Sequence, residues 1–315
     1  VQRKSLAHEL DDYEIYFGGE VVVATIIDGK AISASIKGEL RERISGLLRR
    51  GVTPGLSGVL VGEDPGSASY IRMKEKVCTE VGVSSAMLRL PADITQENLL
   101  TEINRLNTDK NVHGIFLQLP LPVHLDENIA LSTVSPDKDV DGFHPLNIGK
   151  AWMGQPAFIP AGAVAIHEMM LRGGYDPEGK DVVIVGVDEL VGKPLASILV
   201  QPRQGARANV TLCDPSIGDL ARYTRRADIL VVAANKPRFI VADMVKEGVV
   251  VLDAGSNWQA DPVTGKNKTI GDVDFEGVNE KAAAITPVPG GVGPMLITML
   301  MSNTIIAAEL SLEKA

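Results

Sequence analysis

Two groups of residues in this chain have the types and spacing to do chemistry. In the first half, Tyr70 and Lys74 stand four apart in a segment whose pattern reads as helix, so they share a face. Gln118 closes a short apolar run, at the strand end where α/β sheets place ligands. Asp139 and Asp141 follow within Asp137-Lys-Asp-Val-Asp-Gly-Phe-His144. In the second half, Asp181-Val-Val-Ile-Val-Gly186 runs into Val187-Asp188-Glu-Leu-Val191-Gly192-Lys-Pro194 and then a helix. That order suits a phosphate-facing turn. Gly186 permits a tight exit, Gly192 lets backbone approach a ligand, and Pro194 fits the first helical turn. Asp214 ends the next strand, where dinucleotide folds often keep an acid for the ribose hydroxyls. Each feature alone also has a plain reading. Helix lysines are mostly solvated, a glutamine beside proline can satisfy a loop, and Asp-rich stretches are usually turns. The Gly186–Gly192 segment is not the G-x-G-x-x-G fingerprint and can be an ordinary βα turn, and Asp-Pro is a common turn dipeptide.

The elements that must position these residues follow from hydrophobic periodicity. Ile32, Ile36, Leu40, Ile44, Leu47 and Leu48 recur at helical spacing and predict a helix over 31–50, with Gly51 as its C-cap. Residues 55–62 form an apolar run between glycines and predict a buried strand. A helix over 67–81, a strand near 87–90, a helix over 96–106 and a strand over 114–119 follow. The rhythm restarts after Pro160, with a helix over 161–173, a strand over 181–186, a helix over 191–200, and strands over 209–214, 229–234 and 249–254. Strands alternating with helices predict an α/β fold with parallel sheets, and the domain switch falls near 148–160.

Composition bounds the partners. The chain has 315 residues, enough for two domains, with 45% hydrophobic and only 4% aromatic residues, so Val, Ile, Leu and Ala must build the core. Lys+Arg 31 against Asp+Glu 40 gives a net charge of −9, which argues against general attraction to nucleic acid. No unbroken apolar run reaches the roughly 18 residues that span a bilayer. The two cysteines, Cys78 and Cys213, read as reduced thiols in a cytoplasmic chain. Five histidines (His8, His113, His124, His144, His167) show no ligand spacing, so no metal is expected. Residues 1–20 mix Arg3 and Lys4 with Glu9, Asp11, Asp12 and Glu14. They match neither a transit peptide nor a secretory signal, and read as a tail or an ordered extension.

Four blocks in order carry a family resemblance from about Thr25 to Leu310. They are Gly62-Glu-Asp-Pro-Gly-Ser-Ala-Ser-Tyr70 with Lys74, Gly114-Ile-Phe-Leu-Gln-Leu-Pro-Leu-Pro122, Ser135-Pro-Asp-Lys-Asp-Val-Asp-Gly-Phe-His144, and Thr286-Pro-Val-Pro-Gly-Gly-Val-Gly-Pro-Met295. The chain resembles the methylenetetrahydrofolate dehydrogenase/methenyltetrahydrofolate cyclohydrolase family. That resemblance implies an α/β folate-binding catalytic domain and a Rossmann-like dinucleotide-binding domain, with a cleft between them. It implies oxidation of the one-carbon bridge by a nicotinamide cofactor and hydrolysis of the resulting methenyl group. Lys74 matches the catalytic lysine and Gln118 the residue that orients it. Tyr70 matches the aromatic that stacks on the p-aminobenzoyl ring, and Asp141 the carboxylate that holds the pterin nitrogens. Asp139 falls beside that position as a structural acid. Pro289, Gly290 and Gly291 match backbone passing close to folate. Gly186, Val187, Asp188, Val191, Gly192, Asp214 and Gly293 fall on the cofactor side. The last helix, about 294–310, resembles one that returns to the first domain. The implied division is 21–150 plus 294–315, and 151–293, with a homodimer formed through the nucleotide domain.

Three positions depart from the family pattern. Val187-Asp188 stands where Arg-Ser usually helps hold the 2′-phosphate of NADP, and the next strand ends in Cys213-Asp214-Pro215. Acids there tip the expectation to NAD over NADP, while Arg203 and Arg207 leave a route to NADP. Pro160-Ala-Gly162 replaces Pro-Cys-Thr-Pro, and Leu296 replaces a threonine. These changes keep open a cyclohydrolase with weak or no dehydrogenase activity, and beyond it a folate- or nucleotide-binding module without turnover.

Overall fold

The computed structural model describes residues 24–62, 65–260 and 267–313, and for 65–70 and 260 the backbone alone. Residues 1–20 lie outside the described residues. In chain order the elements are β1 (Thr25–Ile26), α1 (Gly29–Arg49), β2 (Gly55–Val61), α2 (Pro65–Val81), β3 (Ser84–Leu90), α3 (Gln96–Thr108), β4 (Gly114–Leu117), α4 (Glu127–Thr133) and α5 (Pro145–Trp152). There follow α6 (Ala161–Arg172), β5 (Asp181–Val185), α7 (Gly192–Leu199), β6 (Asn209–Cys213), α8 (Ala221–Thr224), β7 (Ile229–Val232), β8 (Val250–Asp253), β9 (Asn257–Ala260), β10 (Asn267–Ile270), α9 (Phe275–Asn279), β11 (Ala284–Ile285) and α10 (Val292–Glu313).

Local chemistry sets these limits. The Asp28 carboxylate accepts the N–H groups of Lys30 (2.8 Å) and Ala31 (3.0 Å). This cap starts α1 at Gly29, two residues before the periodicity alone suggests. Ile36, Leu40, Ile44 and Leu47 form its buried stripe, and Gly51 takes a φ of +79° just past its end. β3 begins at Ser84 rather than near 87, because it pairs along all seven residues of β2. Val191 stays outside α7 with φ −126°, and the last helix opens at Val292 instead of 294.

Two parallel sheets result. The first has the order β3-β2-β4, and the second β1-β11-β8-β7-β5-β6. After β5 the chain goes to β6 on one side and then to β7 on the other. The strand order therefore reverses at the C-terminal end of β5, which is where open α/β sheets leave a ligand crevice. β1 pairs with β11, so the first described strand joins the second sheet rather than the first. β9 and β10 form an antiparallel hairpin that the periodicity did not reveal.

α10 ties the two units together. By length and composition it is a helix that could cross a membrane, yet 61% of its apolar window is buried inside the molecule, against α1, α2 and α6. It is a core helix, apolar on most of its circumference because it is surrounded by protein. Its one buried amide, Asn303, donates from Nδ2 to the carbonyls of Val140 (2.8 Å) and Ile159 (3.1 Å). Those carbonyls belong to the Asp-rich turn of the first unit and the segment entering α6. Gly142 lets the two meet: a Cβ there would stand 2.6 Å from the Pro160 nitrogen, and its φ is +76°. Replacing Asn303 with Ala leaves two buried carbonyls unpaired, which is expected to cost about 1–3 kcal/mol. A urea denaturation curve measures this, and a midpoint equal to wild type would contradict the role given to Asn303.

Candidate active site

The C-terminal ends of β2 and β4 face α2, and the first cluster of functional side chains forms there. Lys74 is half-buried on α2. Its ammonium lies 3.8 Å from the centroid of the Phe116 ring on β4. Burial pushes the Lys74 pKa below the usual lysine range, and the nearby Asp141 carboxylate and the Cys78 side chain oppose that push. Tyr70 sits one turn earlier on the same helix, and its side chain lies outside the described residues.

Gln118 follows β4 directly, with its backbone N–H on the Val59 carbonyl at 2.8 Å. Its Nε2 donates to the Leu119 carbonyl at 3.1 Å, so the amide is turned with Oε1 inward. That Oε1 is buried and has no hydrogen-bond partner. Gln118 is thus an open acceptor two residues past Phe116, and it makes no hydrogen bond to Lys74.

Asp139 and Asp141 separate cleanly in role. Asp139 is 3% exposed, and its two oxygens accept the N–H groups of Gly142 (3.1 Å), Phe143 (3.2 Å) and His144 (2.8 Å) and the Asn147 amide (2.9 Å). It is the internal brace of the turn. The Asp141 carboxyl takes none of these donors. Burial pushes its pKa up to about 6, with Lys74 pulling it down and Asp139 pushing it further up. It remains mostly ionised at neutral pH, beside a lysine whose charge it supports.

Residues 286–291 connect β11 to α10, and Gly290 and Gly291 lie against the start of α1. A Cβ on Gly29 would fall 1.8 Å from the Gly291 carbonyl oxygen, so the two backbones touch. Gly290 has φ +121°, and the aliphatic end of Lys30 lies beside it. Pro289, Gly290 and Gly291 thus sit where the two units meet. A side chain at Gly293 would meet open space, so packing within the protein does not require glycine there.

The second cluster surrounds the crevice beyond β5. Gly186 has φ +140°, and a Cβ there would come within 2.4 Å of the Ala233 carbonyl oxygen after β7. A Cβ on Gly192 would come 1.9 Å from the Gly186 oxygen, so the 186–192 turn closes on its own backbone. Asp188 is part of that closure: its Oδ1 accepts the N–H groups of Leu190 (2.8 Å) and Val191 (2.7 Å), while Oδ2 is buried without a partner. Val187 is half-buried in the same turn. Gly162 packs under it, since a Cβ there would lie 2.9 Å from the Leu190 oxygen.

Asp214 is exposed at the C-terminal end of β6, where Oδ1 accepts both the N–H and the hydroxyl of Ser216 at 2.7 Å. These bonds hold its pKa below the usual carboxylate range. Arg203 and Arg207 lie before the other end of β6, and Arg207 faces Glu178 at 3.4 Å. Five residues of strand, about 16 Å, separate that end from Asp214.

Sequence reasoning missed two buried acids beneath this crevice. Asp272 accepts the N–H groups of Ala234 (2.6 Å), Asn235 (2.8 Å) and Lys236 (2.9 Å) and the Asn257 amide (2.7 Å). Asp253 accepts those of Gly255 (2.8 Å), Asp272 (3.1 Å) and Val273 (2.9 Å), and burial pushes its pKa up to about 7. Their sequence signal was an acid next to or near a glycine, as in Asp253-Ala-Gly255 at the end of an apolar run and Gly271-Asp272 after a polar one. Among the described residues no group of three or more His, Cys, Asp or Glu is placed to hold a metal ion.

Comparison with known proteins agrees with this two-part arrangement. Residues 27–141 match the catalytic domain of tetrahydrofolate dehydrogenase/cyclohydrolase, and residues 160–312 match its NAD(P)-binding domain. The bifunctional protein FolD of Syntrophus aciditrophicus is 49% identical over 290 residues, covering 92% of this chain and 99% of that protein. The crystal structure of the bifunctional enzyme FolD, a methylenetetrahydrofolate dehydrogenase/cyclohydrolase from Campylobacter jejuni, superposes with a TM-score of 0.85. It shares 44% identity, over 91% of this chain and 99% of that one. The Trypanosoma brucei N5,N10-methylenetetrahydrofolate dehydrogenase-cyclohydrolase, complexed with NADP and an inhibitor, also gives 0.85. It is 37% identical, over 92% of this chain and 98% of that one. With both domains matched in order, the chain belongs to the tetrahydrofolate dehydrogenase/cyclohydrolase family.

Proposed function

We propose that the protein oxidises 5,10-methylenetetrahydrofolate to the 5,10-methenyl form with NAD(P), and hydrolyses that form to 10-formyltetrahydrofolate. The observation that carries this reading is the half-buried Lys74, its pKa lowered by burial, held between a carboxylate and an aromatic ring in a chain of this family. A lysine whose pKa is lowered gives up its proton more readily than a solvated one, which suits the proton transfer that hydration of the methenyl carbon requires. The buried, unpaired Oε1 of Gln118 is an acceptor waiting for an N–H or O–H donor, which suits orientation of the lysine or of the attacking water. Asp141 suits the pterin: a carboxylate facing two N–H donors on a flat ring makes a charge-assisted pair. Tyr70 stacks on the p-aminobenzoyl ring in this reading, and the Pro289–Gly291 backbone borders the folate. Substituting Lys74→Met is expected to abolish hydrolysis of the methenyl compound, followed by its absorbance, while folate binding persists. An unchanged hydrolysis rate would remove Lys74 from the role.

The cofactor crevice fits a dinucleotide. Gly186 and Gly192 leave bare backbone at the strand-order reversal, and α7 begins there. Gly186, Val187, Asp188, Val191, Gly192, Asp214 and Gly293 would line the cofactor. When bound, the nicotinamide supplies the hydride acceptor. In this reading NAD is preferred over NADP. Asp188 and Asp214 both bring negative charge to the 2′ side, and no arginine occupies position 187. Arg203 and Arg207 belong to the opposite end of β6, too far to neutralise a 2′-phosphate beside Asp214. The expected kcat/KM for oxidation is at least about tenfold higher with NAD, equivalent to about 1.4 kcal/mol. Preference for NADP would overturn the assignment to these acids. Absence of oxidation with either cofactor, with hydrolysis intact, would instead establish the hydrolase-only alternative raised by the altered loop.

Two further aspects complete the reading. β6 is an edge strand of the larger sheet and is open along its side, with Leu212 36% exposed. Pairing of this edge with a second copy would cover it, giving a homodimer through the nucleotide domain. Sedimentation equilibrium should therefore return twice the chain mass. Both cysteines are free and buried, as suits a cytoplasmic enzyme.

A further inference from the structure

The resting position of Lys74 is built by residues to which the reaction chemistry assigns no role. β2 and β4 pair with Gly58 opposite Phe116, and β2 and β3 pair with Gly58 opposite Met87. Gly58 is buried, yet it contributes no side chain to that face. A Cβ there would lie 2.4 Å from Phe116 Cζ, 2.7 Å from Cε1 and 2.6 Å from Met87 Cε. The missing side chain is the space in which the ring edge lies. Phe116 and Gln118 are two apart on the same run, so they project to the same side of the sheet, toward α2. The ring presents its face to Lys74 at 3.8 Å, well within the distance at which an aromatic face attracts a cation.

We propose that Phe116 is a positioning residue for the reaction assigned above: its ring, admitted by Gly58, is the seat that holds the Lys74 ammonium in place beside Gln118 and Asp141. This inference rests on the catalytic reading of Lys74. The ring attracts the charged form of the lysine and has no comparable hold on the neutral amine. It therefore works against burial, which favours the neutral form. The other titratable groups facing Lys74 are Asp141 across the cleft and Cys78 one turn along α2, with Asp139 behind Asp141. The Cys78 thiol is pushed up to about 11 and stays neutral. From α10, Met301 contacts Cys78 and brings no charge. From α1, Lys37 and Arg41 are engaged with Glu80 at the far end of α2. Asp141 itself titrates at about 6. As it protonates, the ring is the remaining stabiliser of the ammonium. Phe116 also anchors the lysine through its ring face, without supplying a lone-pair acceptor.

The test is the pH profile of methenyl hydrolysis, corrected for the uncatalysed rate, in Phe116→Leu and Phe116→Tyr. Leucine keeps an apolar side chain but removes the ring face; tyrosine keeps the face. Loss of the ring lowers the Lys74 pKa. The limb that this lysine governs is therefore expected to move about half to one and a half pH units lower in Phe116→Leu. It should stay in place in Phe116→Tyr. Gly58→Ala leaves the ring but forces it from its seat, and is expected to shift the limb in the same direction as leucine. The thermal midpoint of each variant checks that it is folded. If Phe116→Leu does not fold, the comparison of Gly58→Ala with Phe116→Tyr decides. An unmoved limb in a folded Phe116→Leu or Gly58→Ala protein overturns the proposal, as does an equal shift in Phe116→Tyr. Such a failure is distinct from failure of the catalytic reading, in which Lys74→Met would still hydrolyse the methenyl compound.

Discussion

A lysine ammonium withdrawn from water must be compensated, and the first cluster is organised around that need. Isolated burial of a full charge costs far more than a single hydrogen bond returns. Lys74 meets the cost with two different partners, the Asp141 carboxylate and the face of Phe116. The carboxylate is itself buried, and its own pKa rises. Each charge therefore favours the other's charged form, while burial works against both.

Such a balance depends on position, and position comes from the seam between the two units. Asp141 lies in a turn whose shape is set by Asp139, which gathers three N–H groups and an amide. The turn is then held from behind by Asn303, through the Val140 carbonyl, and fitted against Pro160 by Gly142. The contact of Gly29 with Gly291 does the same on the other side of the seam. Bare backbone therefore recurs at these two contacts of the seam. A side chain at either glycine would move the carboxylate relative to the lysine, or the 289–291 segment relative to α1.

Much of this was legible in the sequence. Apolar periodicity located most of the helices and long strands, because each has one buried face or is buried throughout. The short elements were not legible: β1 and β11 have two residues each and exist only because they extend the larger sheet. The hairpin β9–β10 is polar and exposed along much of its length, so no apolar pattern marks it. Lys74, Gln118 and Asp141 stand out as candidates because they sit in long, distinctive blocks. Phe116 escaped notice because an aromatic in a buried strand looks like core, which its 3% exposure also makes it. Only the position of the ammonium above its ring separates the two roles. Asp253 and Asp272 were missed for a related reason. Their partners are mostly backbone N–H groups 19 to 38 residues distant, with Gly255 just beyond the strand of Asp253, and a sequence shows no such pairing.

Asp188 completes a turn with one oxygen and leaves the other unused. One oxygen caps the turn leading to α7 by accepting two N–H groups, as a serine hydroxyl there could do in part. The other oxygen remains buried and unpaired. An acid is thus a competent structural replacement at this position, and its second oxygen is the added feature. It places unneutralised negative charge beside a helix start, which would otherwise favour anions. The phosphates that join the two halves of a dinucleotide can still use the bare backbone at Gly186 and Gly192. In the binding mode proposed above, a further phosphate on the ribose would approach Asp214, whose pKa the Ser216 hydrogen bonds hold low. On that proposal, the acid that completes the turn and the acid at the strand end act together against a 2′-phosphate.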